Sequence, residues 1–476
     1  MICKTAASMV VALAVIWGGA TWYTGTKIQS RIDKDVKEFN FIMRDHGDDR
    51  QLTARYENFD NGFFSSHFKL FVKIDKGAAS LGMKTGQEIG FDIDVIHGPL
   101  PLIFHGDFTP AMVAAKLRLV NNELTQPLFT AAKDKSPGEA TIRFSYDGSY
   151  STVLDVMPAQ YTGLSFGNGQ FAIGKDDSGL SNLQINGEVE NVVMSVNNDK
   201  KVIADSLNVD TLLRLEEKSY PIGNIALKFN QATLSERDAG LFKMDALIIK
   251  TSSERAKNSK YINANLTYVF EKIKKENQDI GSGQVSLVAE SIDPLAVRAF
   301  ISQYGITMRE YFAKNSLESD DANYKARQFN SEFLIANMPI LFKSEPVIKF
   351  PVSWNNAGGE LTGSLDIAFK DPGNIMPATV KVIKSVNADF VAPITFATEM
   401  IKQSKLAQGM NAKDAQSQAQ KEVNDIKQYV SMLNLLMIHE NNASLRVRYV
   451  PGQVNFNGRQ MADDQFMALL KGLSRR

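Results

Sequence analysis

Apolar positions along this chain fall into three patterns: one unbroken run, many period-two alternations, and a few helical stripes. The run comes first. No charged residue occurs from Thr5 to Thr26, and Lys4 and Lys27 bracket the stretch. A helix rises 1.5 Å per residue, so about 20 residues cross a hydrocarbon layer of about 30 Å. Trp17, Trp22 and Tyr23 gather at the far end, where amphipathic rings favour the headgroup level. The pattern predicts a transmembrane helix over residues 6–23, with Ala6, Val10, Leu13, Ile16, Trp17, Trp22 and Tyr23 as anchoring positions. A cleaved secretory signal is the alternative, since Lys4, residues 6–16 and Gly18-Gly19-Ala20 supply a basic start, an apolar core and small residues. Continuation through Trp22 and Tyr23 suits a retained anchor better. A buried core helix fits worst, because the run has no polar stripe.

After residues 1–27, the anchor, Ile32, Val36, Phe39 and Met43 keep helical spacing among charges, which predicts a helical stalk over 28–55. The period then switches to two. Phe68, Leu70, Val72 and Ile74 alternate with polar neighbours, as do Ile89, Phe91, Ile93 and Val95 before the stop at His97-Gly98-Pro99. Residues 142–146 and 150–154 flank Asp147-Gly148, a hairpin signal, and Gly167-Asn168-Gly169 predicts another hairpin between 164–166 and 170–173. Further strands are expected at 183–185, 188–196, 225–229, 242–248, 262–270 and 285–289, and at 347–354 and 361–369 around Asn355 to Gly359. Asp293 with Pro294 opens a helix over 295–304, and a second covers 320–338 until Pro339 ends it. A helical hairpin is expected over 388–438, joined at Gly409, with Ala415, Ala419, Val423, Ile426, Val430, Leu433 and Met437 in one stripe. The last hairpin turns at Pro451-Gly452. The fold class predicted is α+β and β-rich: an N-terminal transmembrane helix, then an elongated, twisted, mostly antiparallel sheet with a helical insert near the C-terminus. Its parts are an antiparallel β domain at 56–290 and a mixed helix and β region at 291–476.

Composition narrows the functions. The 53 basic and 53 acidic residues balance, so no cationic surplus marks a nucleic-acid surface. Hydrophobic content of 44% with 28 Phe can build a sizeable core. The single cysteine, Cys3, precedes the apolar run, leaving the rest without an internal disulfide or a thiol metal ligand. Lys27, Arg31, Lys34 and Lys37 follow the run, and a count of flanking charge alone puts the large domain in the cytoplasm. Long domains cross largely regardless of such charge, however, and an apolar N-terminal segment acts as an export signal. The expectation is a single-pass protein of the bacterial inner membrane with its large domain in the periplasm.

Candidate chemistry is sparse. Gly163-Leu164-Ser165-Phe166-Gly167 matches a nucleophile elbow, which needs a strand, a strained turn and then a helix; here Leu164 and Phe166 read as strand. Of His46, His67, His97, His105 and His439, none lies four residues from another, and His97 with His105 is the one pair a hairpin could join. Asp33/Asp35, Asp176-Asp177 and Asp463-Asp464 lie in polar stretches and read as solvated. No phosphate-cradling glycine motif occurs. The sequence thus predicts no catalytic residue, no metal and no cofactor.

Residues 56–66, Tyr-Glu-Asn-Phe-Asp-Asn-Gly-Phe-Phe-Ser-Ser, followed by His97-Gly98-Pro99 behind a short apolar start, resemble the YdgA/YihF family of bacterial envelope proteins over the full length. The resemblance implies an inner-membrane-anchored periplasmic protein of uncharacterised activity and brings no catalytic residues. Gly62, Phe63, Phe64, Ser65, Ser66, His97, Gly98 and Pro99 are its marked positions; a bulge, core packing and a strand stop account for them. Three functions are expected in order. The first is a non-enzymatic envelope protein whose apolar β-groove binds lipid or a partner segment. The second is an assembly protein forming a homodimer or holding another envelope protein through residues 412–438. The third, remote, is a serine hydrolase at Ser165.

Overall fold

The computed structural model describes residues 27–466 and 468, apart from 35, 42–50, 77–84, 104–105, 148, 162, 176–181, 198–199, 215–221, 237–239, 258, 315–319 and 374–381. The expected membrane helix with its seven anchoring positions, and Cys3, His46, His105, Asp35 and Asp176-Asp177, lie outside the described residues. Among those described, no helix is long and apolar enough to cross a membrane. The fold is mostly antiparallel β-sheet, and most helical residues lie in the C-terminal half. Contacts divide the chain into two compact units, residues 1–192 and 193–476.

In the first unit, β1 (Gln51–Asn61), β2 (Ser65–Lys76), β3 (Glu88–His97), β4 (Val113–Leu119), β5 (Gly138–Phe144) and β6 (Tyr150–Val156) pair in sequence. β7 (Ala159–Tyr161) pairs with β8 (Leu164–Phe166), while β9 (Gly169–Lys175) lies between β6 and β10 (Asn182–Asn197). The expected hairpin across Gly167-Asn168-Gly169 is therefore not formed, because each strand finds its partner elsewhere. The period-two residues Phe68, Ile93, Val95, Val113 and Ala115 are buried in one cluster.

A short helix, α1 (residues 27–34 and 36–41), lies on that cluster and is not a free stalk. Ile28 and Ile32 pack against the cluster, and Tyr56 donates to Asp33 Oδ1 at 2.7 Å. The Asn40 amide accepts from the Ala54 N–H at 2.6 Å and donates to its carbonyl at 2.8 Å. The contacts at Asp33 and Asn40 thus follow β1 backwards, and the described residues of α1 before Asp33 point to the end of the sheet where β1 finishes. Residues 51–55, expected within the stalk, belong to β1; its alternation is broken by a bulge between Glu57 and Asp60, with Asn58 at φ 55°. A further helix, α2 (Gln126–Ala131), and β4 stand where the periodicity predicted nothing.

The second unit is a longer meander. β11 (Lys200–Arg214), β12 (Ile222–Glu236), β13 (Gly240–Arg255), β14 (Ile262–Lys275), β15 (Gln278–Ile292), β16 (Val347–Asn356), β17 (Gly359–Phe369) and β18 (Ile383–Pro393) each pair with the next. β20 (Asn442–Val450) then joins β18, with β19 (Met437–His439) and β21 (Gln453–Phe456) beside it and β22 (Arg459–Met461) beyond. Gly452, at φ 89°, takes the left-handed position that the Pro451-Gly452 turn requires.

Four helical expectations shift. Asp293 caps α3 (Pro294–Lys314), accepting from the N–H groups of Leu295 and Ala296, and the helix runs ten residues past 304. α4 (Asp320–Asn337) is followed by one more turn, α5 (Pro339–Phe342), because Pro339 takes the first position of a new helix, where its missing N–H costs nothing. The expected hairpin over 388–438 is shorter, comprising α6 (Ile394–Ala407) and α7 (Ala412–Met432). Ala388 to Pro393 finish β18, since Ala388 is buried against Val447 and Val454, and extended Pro393 caps α6. At the far end Asn434, at φ 51°, stops α7, and residues 437–439 become a strand.

Candidate functional site

Ser66 and His97, distant in sequence, share one small polar site at the end of the first sheet. Ser65 pairs with Ile96, which sets Phe64 against His97, and the His97 N–H donates to the Phe64 carbonyl at 2.9 Å. The Ser66 hydroxyl donates to Asn61 Oδ1 at 2.7 Å and stands 2.9 Å from His97 Nε2. Ser66 and His97 are each 2% exposed. With the hydroxyl proton given to Asn61, Ser66 Oγ is left to accept from Nε2, an arrangement in which the buried Nδ1 has no partner. That polarity is the reverse of what a base needs to activate a serine. Burial lowers the His97 pKa, and the nearby Phe63 carbonyl only partly offsets this, so the ring is held neutral.

The pair clasps a turn whose two aromatic residues point outward. Gly62 N–H donates to the Ser65 carbonyl at 2.8 Å, closing the turn. Phe63 and Phe64, expected to pack into a core, are 51% and 61% exposed, with their rings in edge contact at 4.8 Å. Gly98, at φ 120°, ends β3, and the Pro99 carbonyl accepts from Ala111 N–H. The structure therefore brings Gly62 through Ser66 together with His97, Gly98 and Pro99.

A second surface lies on the meander of the second unit. Its register aligns Val209, Leu227, Ile249, Tyr268, Val285 and Val352 across six strands. One end of this face closes over Phe229, Met244 and Ile273, against which Trp354 and Phe270 pack. In its middle Tyr268, Val285, Leu287 and Phe350 remain open, each 37–40% exposed. The opposite face is polar: Thr267 and Ser286 hydroxyls bond at 2.8 Å, and Lys349 pairs with Glu290 at 2.6 Å.

Ser165 sits inside β8, opposite Gln160, and the next element is β9 rather than a helix, so no elbow forms there. His67 lies between Asp92 at 3.2 Å and Asp94 at 2.9 Å. Among the described residues, no group of three or more His, Cys, Asp or Glu is placed to hold a metal ion.

From residue 3 to residue 463 the sequence matches the family described as a bacterial protein of unknown function, DUF945. The chain belongs to this family. The uncharacterised protein YihF of Escherichia coli strain K12 is similar to it, with 48% identity over 470 residues and 98% of each chain covered. Protein YdgA of the same strain is 28% identical over 482 residues, covering 98% of this chain and 95% of its own. An uncharacterised protein of Haemophilus influenzae is 26% identical over 162 residues, 33% of this chain and 42% of its own. No solved structure matches. In this DUF945 chain the serine–histidine clasp and the open sheet face are the features that call for a function. The clasp was visible in sequence only as two separate motifs. The open face was visible as alternation, which does not say whether a face is covered.

Proposed function

We propose that this DUF945 protein is a non-enzymatic envelope protein, anchored in the bacterial inner membrane by residues 6–23 with its β units in the periplasm. In this reading the sheet of the second unit holds lipid acyl chains. One observation carries it: Tyr268, Val285, Leu287 and Phe350 stay exposed in the middle of an otherwise apolar face. Exposed apolar area of this kind gains about 25 cal/mol per Å² when covered, and an extended acyl chain matches a flat, two-dimensional row of Val, Leu and aromatic side chains. The test is native mass spectrometry of the full chain purified in mild detergent. Bound phospholipid is expected, and its loss in a Val285→Lys, Leu287→Lys variant that still folds. Absence of lipid from the unaltered chain, or equal lipid on the variant, removes the reading.

A second reading, a homodimer or a complex with another envelope protein through α7, has its own observation. Ala415, Ala419 and Val423 are buried, but the same stripe continues into Ile426, which is 52% exposed. A disulfide between copies of an Ile426→Cys variant is the expected sign; monomer alone under oxidation rejects it.

A further inference from the structure

Successive strands of the first sheet alternate in direction, so one end collects the close of β1, β3 and β5 and the start of β2, β4 and β6. Aromatic side chains gather at that end. Phe63 and Phe64 form the β1–β2 turn, and Tyr146 lies between β5 and β6, whose facing residues Phe144 and Tyr150 hold their rings 6.3 Å apart. Phe108 belongs there too, because the adjacent Asp107 is ion-paired with Arg143, the last residue but one of β5. All six rings are exposed. Isolated exposed apolar residues are ordinary, but a set gathered at one end of a sheet marks a contact surface. The surface is also preset, since the buried Ser66–His97 clasp and the His97–Phe64 backbone bond fix the turn that carries Phe63 and Phe64.

What meets this end follows from where the described chain begins. Its first residue, Lys27, lies in α1, whose described residues before Asp33 point to the same end of the sheet. Only Thr24, Gly25 and Thr26 separate Lys27 from Tyr23, the close of the apolar run. Four residue steps span at most about 14 Å. A bilayer holding residues 6–23 therefore lies within that distance of Lys27. We propose that the aromatic end of the first unit is an interfacial docking surface, resting in the headgroup region of the bilayer that the N-terminal segment enters, with Phe63 and Phe64 inserted furthest. This rests on the membrane reading of residues 6–23 and is independent of lipid capture by the second unit. Aromatic rings favour the headgroup level. At this end Asp107 is neutralised by Arg143 and Asp147 is exposed in the adjoining turn, while α1 brings Lys27 and Arg31.

The test uses the full chain with Cys3→Ser and one new cysteine, Phe64→Cys, Tyr146→Cys or Leu164→Cys. Leu164 lies beyond the far end of β6 and serves as the control. Each variant carries an environment-sensitive fluorophore and is reconstituted into phosphatidylcholine vesicles containing brominated acyl chains, then floated. Quenching with a blue shift at 64 and 146, and neither at 164, is expected. A chain that floats yet shows no quenching at 64 and 146, or equal quenching at 164, overturns the docking surface while leaving the anchor intact. A chain that does not float overturns both. In cells, a photo-crosslinking residue at position 64 is expected to give lipid adducts; a specific protein adduct instead makes this end a protein-binding site and overturns the proposal.

Discussion

Ser66 Oγ and His97 Nε2 stand 2.9 Å apart, 31 residues separated in sequence, with the Asn61 amide on the other side of the hydroxyl. Each group satisfies the next, so removing the middle one strands a buried N–H. Ser66→Ala is therefore expected to cost about 1–3 kcal/mol in the unfolding transition of the first unit, read by chemical denaturation. Ser66→Thr keeps the hydroxyl, and is expected to lose less.

The same site sets a pH dependence. The folded chain holds His97 below its ordinary value, so as pH falls from neutrality the unfolded chain takes up that proton first. The unfolded state then binds more protons, and stability falls with pH through the window below about 6.5, being intact above it. Asp107, held low by the Thr109 hydroxyl and N–H and by Arg143, matters only in the acid range below about pH 4. The melting temperature of the first unit is expected to drop between about pH 7 and pH 5.5, and to be flatter there in a His97→Gln variant.

The Asn40 side chain ties α1 to β1. Asn40 bonds both backbone groups of Ala54, doing for β1 what a neighbouring strand does elsewhere. Asn40→Ala is expected to cost about 1–3 kcal/mol locally and to raise amide exchange at Ala54 and along residues 27–41. Protection equal to that of the unaltered chain would show that Ile28, Ile32 and the Tyr56–Asp33 bond hold the helix without Asn40.

In the second unit Gly281 sits at φ 106°, and a Cβ there would run into the Asn355 carbonyl. The neighbouring Ile280 carbonyl accepts from the Trp354 indole at 2.9 Å. Gly281→Ala is expected to destabilise this unit by about 1–3 kcal/mol and to shift Trp354 fluorescence to the red as the indole loses its partner. An unshifted spectrum with unchanged stability would mean the backbone at Gly281 relaxes freely.

By contrast, Asp389 is approached by Arg446 at 3.1 Å and Arg448 at 2.5 Å, but all three side chains are more than 40% exposed. Asp389→Asn is expected to cost less than about 1 kcal/mol by denaturation, since solvent screens the pairs.

Strands with clean alternation were legible in the sequence. Phe68 to Ile74, Ile89 to Val95 and Ile262 to Phe270 all lie in strands, because one buried face imposes period two. The misreadings have local causes. In β18 the run Ala388-Asp389-Phe390-Val391-Ala392 carries residues that a helix tolerates, and pairing with β17 and β20 decides for strand. The bulge near Asn58 hid β1. The Ser66–His97 contact depended on a register that no single strand displays. The outward turn of Phe63-Phe64 ran against the expectation that large aromatics go inside.

From β11 to β18 every strand lies beside its immediate successor in the chain. Each new strand therefore needs only the one just finished as a template, which keeps contact order low for so β-rich a protein. A polypeptide delivered from its N-terminus can zip this sheet together as it emerges, leaving a single unpaired edge at any moment rather than a collapsed, aggregation-prone whole.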